Sequence, residues 1–248
     1  MEVFIEGPHG RAVDYVRRMG DLYDPTYIAL LIELHTTQLM GARVEPPSEH
    51  IPPVLSRLTR QTFSYPWDWI EWYASTDHQP PAGFIGWKGE IFSQFDPRFA
   101  DLLAPDRASR IRAELLVWNG VGPEGIPPLN EPPTVKALEA TFLTDEDPVV
   151  GLSVSGAQRA YPLRVLDWHE MVNDELSGLP VAATYCVLCG TAIVYDARAT
   201  DGLRYTFGNA GLVLNSNTLV FDHQTETLWL RMTGDPVLGP LVETNTRL

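Results

Sequence analysis

The spacing of apolar residues changes once along this chain, and that change limits what the two halves can fold into. Up to about residue 105 the apolar positions recur every three or four residues, and after Pro148 they fall into short alternating runs. Asp24-Pro25 offers an N-cap and a proline for a first helical turn, with Ile28, Leu31, Ile32 and Leu39 following at helical spacing, which predicts a helix over about 25–40. A second starts near Pro52-Pro53 with Val54, Leu55 and Leu58 on one side, and a third follows Pro66 through Trp69, Ile70, Trp72 and Tyr73. Asp96-Pro97 repeats the signal before Phe99, Leu102 and Leu103. Trp67, Trp69, Trp72 and Trp87 read as glue between short helices, with a ligand groove as the alternative.

Proline and glycine then crowd residues 104–133, which reads as a connection with a strand inside it near 114–118. The acidic run Asp145-Glu146-Asp147 is a solvated turn on this reading. Beyond Pro148, residues 149–154, 182–186, 192–195, 203–207, 219–221 and 227–230 are β-branched or aromatic runs separated by Ser155-Gly156, Asp201-Gly202 and Thr233-Gly234. Residues 163–173 interrupt them as a short helix. The fold class that follows is α+β. A helical region (1–105) and a Pro/Gly-rich connection (106–148) precede a mainly antiparallel β half (149–248), sandwich or barrel-like.

A formal charge of -14 would repel a phosphate backbone or an anionic membrane over most of the surface, so neither partner is expected, whereas a small-molecule or protein partner stays open. The first residues carry no basic segment followed by an apolar one, and the longest apolar run, 27–32, is far shorter than a membrane span of ~20 residues. A cytoplasmic location is the expectation. In that compartment a closely spaced thiol pair is more often catalytic or metal-bound than a structural disulfide.

Both cysteines of the chain sit in one such pair, Cys186-Val187-Leu188-Cys189, followed at once by Gly190. A knuckle of this spacing points backbone N–H groups at the sulfurs and supplies two soft donors with little loop to close. A disulfide-forming dithiol and two inert buried thiols are the other readings. Of the six histidines only His169 and His223 lie in the β half. Helical spacing puts His169 with Val165, Leu166 and Val172, on a face turned to the core, while Glu170 points elsewhere as a general base or a solvated carboxylate. Asn215-Ser216-Asn217 and Asp222-His223-Gln224-Thr225 are polar turns that could furnish hydrogen bonds or a ligand, with His223 a weak candidate by itself.

The ordered motifs Arg159-Ala160-Tyr161-Pro162-Leu163, Trp168-His169-Glu170, Val172-Asn173-Asp174, Leu179-Pro180-Val181, Tyr185-Cys186 with Cys189-Gly190-Thr191-Ala192, and Asn215-Ser216-Asn217 resemble the bacterial DUF3179 family, over about 117–241. The resemblance implies that these motifs form one unit, and it supplies no substrate. This chain departs from the family pattern at Val187, where proline is usual, at Ala210, where serine is usual, and at His223, where arginine is usual. The resemblance also implies a closing segment with tryptophans that would follow Leu248.

The leading expectation is a transition metal, zinc or copper, held by Cys186, Cys189 and His169, with Glu170 moving protons beside a pocket of Arg159, Tyr161, Tyr185 and Asn215. The alternatives are a metal-free thiol/disulfide protein and a non-enzymatic interaction module. Whether the protein is an enzyme is left open.

Overall fold

A computed structural model describes residues 2–5 and 7–248. It divides into two compact units, Met1–Arg107 with Arg112–Leu116, and Ala108–Ile111 with Val117–Leu248.

The first unit is helical: α1 (His9–Leu22), α2 (Tyr27–Leu39), α3 (Ile51–Thr59), α4 (Pro66–Ala74), α5 (Phe84–Phe92) and α6 (Arg98–Leu102). Prolines occupy the first turns of α3 and α4, where their missing N–H has no intrahelical partner to lose. Residues 28–37 of α2 are all buried, so this helix forms the unit's axis. Its Glu33 meets Lys88 of α5 at 2.6 Å in the interior. Lys88 also lies over the rings of Phe84 and Phe92 and donates to the Glu114 carbonyl at 3.2 Å, so the buried ammonium has partners for its protons. Trp69 and Trp87 are buried as packing residues, whereas Trp67 is exposed.

The second unit carries the strands: β1 (Val117–Trp118), β2 (Leu129–Asn130), β3 (Val149–Val154), β4 (Ala157–Pro162), β5 (Met171–Leu176), β6 (Leu179–Cys186), β7 (Thr191–Asp196), β8 (Phe207–Leu214), β9 (Asn217–Asp222), β10 (Leu228–Leu230) and β11 (Asp235–Leu238), with α7 (Leu163–His169) between β4 and β5. They form a five-stranded sheet, β1-β8-β9-β10-β11, a four-stranded sheet, β2-β5-β6-β7, and the β3-β4 hairpin. Every pairing is antiparallel except β2 with β5. Met171 and Ala182 of one large sheet share a core with Phe207, Val220 and Trp229 of the other, so the two are packed face to face and no barrel closes. The α+β class with a helical N-terminal half and a mainly antiparallel C-terminal half is therefore the observed architecture.

Local expectations change in places: of the strand expected near 114–118 only Val117–Trp118 forms, after a 3-10 turn at Ala113–Leu115. The helix predicted over 163–173 stops at His169, because Glu170 takes the left-handed conformation (φ 56) and the chain turns straight into β5. The run predicted over 203–207 contributes only Phe207 to a strand.

Candidate functional site

The hairpin from β6 to β7 bends through residues 187–190, and Gly190 adopts the positive φ (60) that closes the turn. The bend separates the two thiols by environment. Cys186, the last residue of β6, is 2% exposed, whereas Cys189 stands in the open turn. Burial pushes the Cys186 thiol up, but hydrogen bonds from Cys189 and from the backbone and side chain of Thr218 outweigh it, and the thiol ends below its ordinary value. Cys189 moves the other way, raised by its partial burial and by its bond to Cys186. Its Sγ–H reaches Asn217 Oδ1 at 3.6 Å and the Cys186 carbonyl at 3.8 Å.

Behind the knuckle lies a buried ion pair. Arg231, one residue beyond β10, donates from Nη2 to Glu170 Oε2 at 2.8 Å, with side-chain exposures of only 2% and 9%. The same guanidinium donates to Asn209 Oδ1 and to the carbonyl of Tyr185, the residue before Cys186. Burial pulls Arg231 below its ordinary value, while Glu170 first and then the two cysteines hold it up. A guanidinium still remains charged under such conditions, so a fixed cation faces the thiols. Thr218 Oγ1 lies 3.4 Å from Glu170 Oε2 and also within hydrogen-bond reach of Cys186, so its single hydroxyl proton can serve either the carboxylate or the buried sulfur.

The residues singled out by sequence are distributed unevenly around this centre. His169 is half-buried at the end of α7 rather than turned into the core, and its Nδ1 lies 2.9 Å from the Pro127 carbonyl. Among the described residues, no set of three His, Cys, Asp or Glu side chains is arranged to hold a metal ion. Glu170 is neither solvated nor on an outer helix face. The left-handed turn at its own backbone carries it inside to Arg231. Tyr161 and Tyr185 share one apolar cluster, and Tyr161 Oη donates to Asp174 at 3.0 Å, where Arg159 also pairs at 3.2 Å. Asn215 stands apart. With Ser216 it forms the two-residue turn between β8 and β9, both at positive φ, and it is exposed. Its neighbour Asn217 is the residue that reaches the thiols.

Sequence reasoning missed Arg231, Asn209 and Thr218. An arginine directly after an apolar strand run was the one visible signal, since a charge there must find a partner or leave the core.

The fold and site define an α+β protein whose β unit carries a two-thiol knuckle backed by a buried Arg–Glu pair. The chain belongs to the family described as Protein of unknown function (DUF3179), whose model matches residues 123–248, just over half of its length. No curated protein and no solved structure matches it. No helix among the described residues is long and apolar enough to cross a membrane.

Proposed function

We propose that Cys186 and Cys189 are a dithiol that cycles with a disulfide, Cys189 being the sulfur a partner meets and Cys186 the sulfur that leaves. The observation that carries this is the division of the pair: an exposed Cys189 beside a buried Cys186 that receives hydrogen bonds from Cys189 and Thr218. In the oxidised protein a partner thiolate attacks Cys189 Sγ, the S–S bond breaks, and Cys186 departs as a thiolate facing Arg231. A second thiolate of the partner then attacks the partner's own sulfur in the mixed disulfide, and Cys189 is released and takes up a proton. Two electrons pass from the partner's thiols to the protein, and the partner gains a disulfide. A leaving thiol with a lowered pKa departs faster, and stabilising the reduced form makes the pair more oxidising. Thr218 and Glu170 serve the departing sulfur, the hydroxyl turning from the carboxylate to the thiolate as charge develops. Equilibration in glutathione buffers of graded ratio, followed by alkylation and peptide mass spectrometry, should show a reversible Cys186–Cys189 disulfide. Its absence at every ratio would end this reading.

A second reading keeps the metal expected from sequence. Two adjacent sulfurs without a third ligating side chain among the described residues suit a soft ion such as Cu(I) better than the tetrahedral shell of zinc. His169 would join only if its imidazole reached the sulfurs through Nε2. Copper(I) competition against a chromogenic chelator tests this. One ion per chain that is lost in Cys186→Ser supports it, and no competition removes it.

A further inference from the structure

A pocket of about 200 Å³ in the β unit, independent of the thiol reading, is lined by Asn130, Glu131, Asn173, Arg204, Thr206 and His223. At its wall three side chains follow one another at hydrogen-bond distance: Thr206 Oγ1 is 3.0 Å from His223 Nδ1, and His223 Nε2 is 2.8 Å from Glu124 Oε1. We propose that these residues form an acyl-transfer centre for small esters, with Thr206 as nucleophile, His223 as general base and Glu124 as the residue that positions the base.

The hydrogen-bond network fixes where the protons lie. Thr206 N–H donates to Gln224 Oε1 at 3.1 Å, so the other atom of that amide, Nε2, is the one 3.0 Å from Thr206 Oγ1 and donates to it. Having accepted there, the hydroxyl has its own proton free for the imidazole. Glu124 is an acceptor, which places the neutral imidazole's proton on Nε2 and leaves the Nδ1 lone pair facing the hydroxyl. Nucleophile to base and base to orienting carboxylate therefore both lie within the range used for proton transfer.

The base is held from two sides. Phe221 meets the imidazole edge-on with ring centres 5.4 Å apart. Glu124 sits at a left-handed backbone position (φ 55), with its N–H donating to Asn209 at 2.7 Å. Its side chain passes directly over Gly208 of β8. A Cβ at Gly208 would lie 2.8 Å from Glu124 Cγ and 2.9 Å from Glu124 Oε1, so the strand gives up a side chain where the carboxylate crosses it.

The pocket also offers groups for the substrate. Asn173 exchanges bonds with the Phe207 backbone at 2.9 and 2.8 Å and donates to Asn130 Oδ1 at 2.7 Å, which fixes both amides and leaves Asn130 Nδ2 without an acceptor among the described residues. That N–H and the nearby Arg204 guanidinium, 3.2 Å from Glu175, are donors for a developing oxyanion. In the reaction Thr206 Oγ1 attacks the ester carbon as its proton passes to His223. The tetrahedral intermediate collapses, the C–O bond to the alcohol breaks, and His223 protonates the departing alkoxide. Water, deprotonated by His223, then releases the acid from the acyl-Thr206.

The test uses full-length protein with its thiols blocked by iodoacetamide and p-nitrophenyl acetate as the probe. Expected are turnover above buffer and an acetyl adduct on Thr206 by peptide mass spectrometry. Thr206→Val, which keeps the shape, should lose turnover to background, and Thr206→Ser should retain it. His223→Gln should lose at least about 100-fold in kcat/KM. Glu124→Gln should act through the base, lowering kcat and moving the pH profile while KM holds. Melting curves that match wild type establish that each variant is folded. Wild-type turnover equal to that of Thr206→Val, or an adduct mapping elsewhere, would overturn the proposal.

Discussion

Replacing either member of the Glu170–Arg231 pair should weaken the fold about equally while driving the Cys186 thiol in opposite directions. Both side chains are nearly sealed from water and meet at 2.8 Å, so solvent can do little for a survivor. Breaking a buried pair from one side costs about 3–5 kcal/mol, because the remaining charge stays desolvated without its partner. Against a total stability of roughly 5–15 kcal/mol for a domain, that is about a fifth of the margin at the least. Glu170→Gln leaves Arg231 uncompensated and so adds net positive potential at the knuckle, which lowers the thiol further. Arg231→Met removes the cation that the cysteines feel and leaves Glu170 behind, which raises it. Urea unfolding gives the stability loss, and ultraviolet thiolate absorbance against pH gives the direction of each shift. Variants within about 1 kcal/mol of wild type, or two titrations displaced the same way, would refute the reasoning.

Three further outcomes follow from single positions. Thr184 is buried with a hydroxyl that finds no partner among the described residues, so Thr184→Val should stabilise the protein by about 1 kcal/mol in thermal melts. Gly211 has φ +72, and a Cβ there would sit 2.5 Å from the Val121 carbonyl, so Gly211→Ala should cost about 2 kcal/mol or more by urea unfolding. Tyr73 is pushed from its ordinary 10.0 up to about 12, first by burial and then by the Glu114 charge, against the pull of Arg112. A raised acid contributes stability below its unfolded pKa and loses it as pH climbs through the folded one, so the helical unit should weaken between about pH 10 and 12. Circular dichroism across that window should show this slope in the wild type and a flatter one in Tyr73→Phe.

How much could be read in advance depended on how local the signal was. α3, α4 and α6 announced themselves through prolines at or beside their starts, and α2 through Asp24-Pro25. α1 carries little signal of its own, because its sequence is largely polar and Pro8, at its N-cap, has no side-chain group that could cap it. α5 went unread because it carries Gly86 and Gly89, which look like breakers. They are spacers, since a Cβ at Gly86 would strike Pro105 at 2.8 Å and one at Gly89 would crowd Leu103 at 3.1 Å. The start of β5 reads in sequence as the continuation of a helix because its polar Asn173 and Asp174 hide a strand that is buried through both. The knuckle itself was legible, being four residues long. Its support was not: Glu170 and Arg231 are 61 residues apart, and no spacing rule connects them until the sheets pack. His223 was noticed, but Thr206 and Glu124 lie 17 and 99 residues away from it and gave no sign of belonging with it.

The β8–β9 hairpin touches both proposed centres. Near its two-residue turn, Asn217 and Thr218 reach the thiols, and at its open end Thr206 and His223 flank the strands. The two ends are about 20 Å apart at the usual rise of a strand. β8 already carries an irregularity between Asn209 and Val213, so it is a residue added to or removed from the regular pairs on either side of it that would turn the following side chains to the opposite face and detach one set of partners. Length variation among relatives that keep these side chains in place is expected at the 209–213 irregularity or outside the hairpin, as in the turn at 198–203, and a gap within the regular pairs of β8 or β9 would mark a relative that lacks one of the two proposed centres.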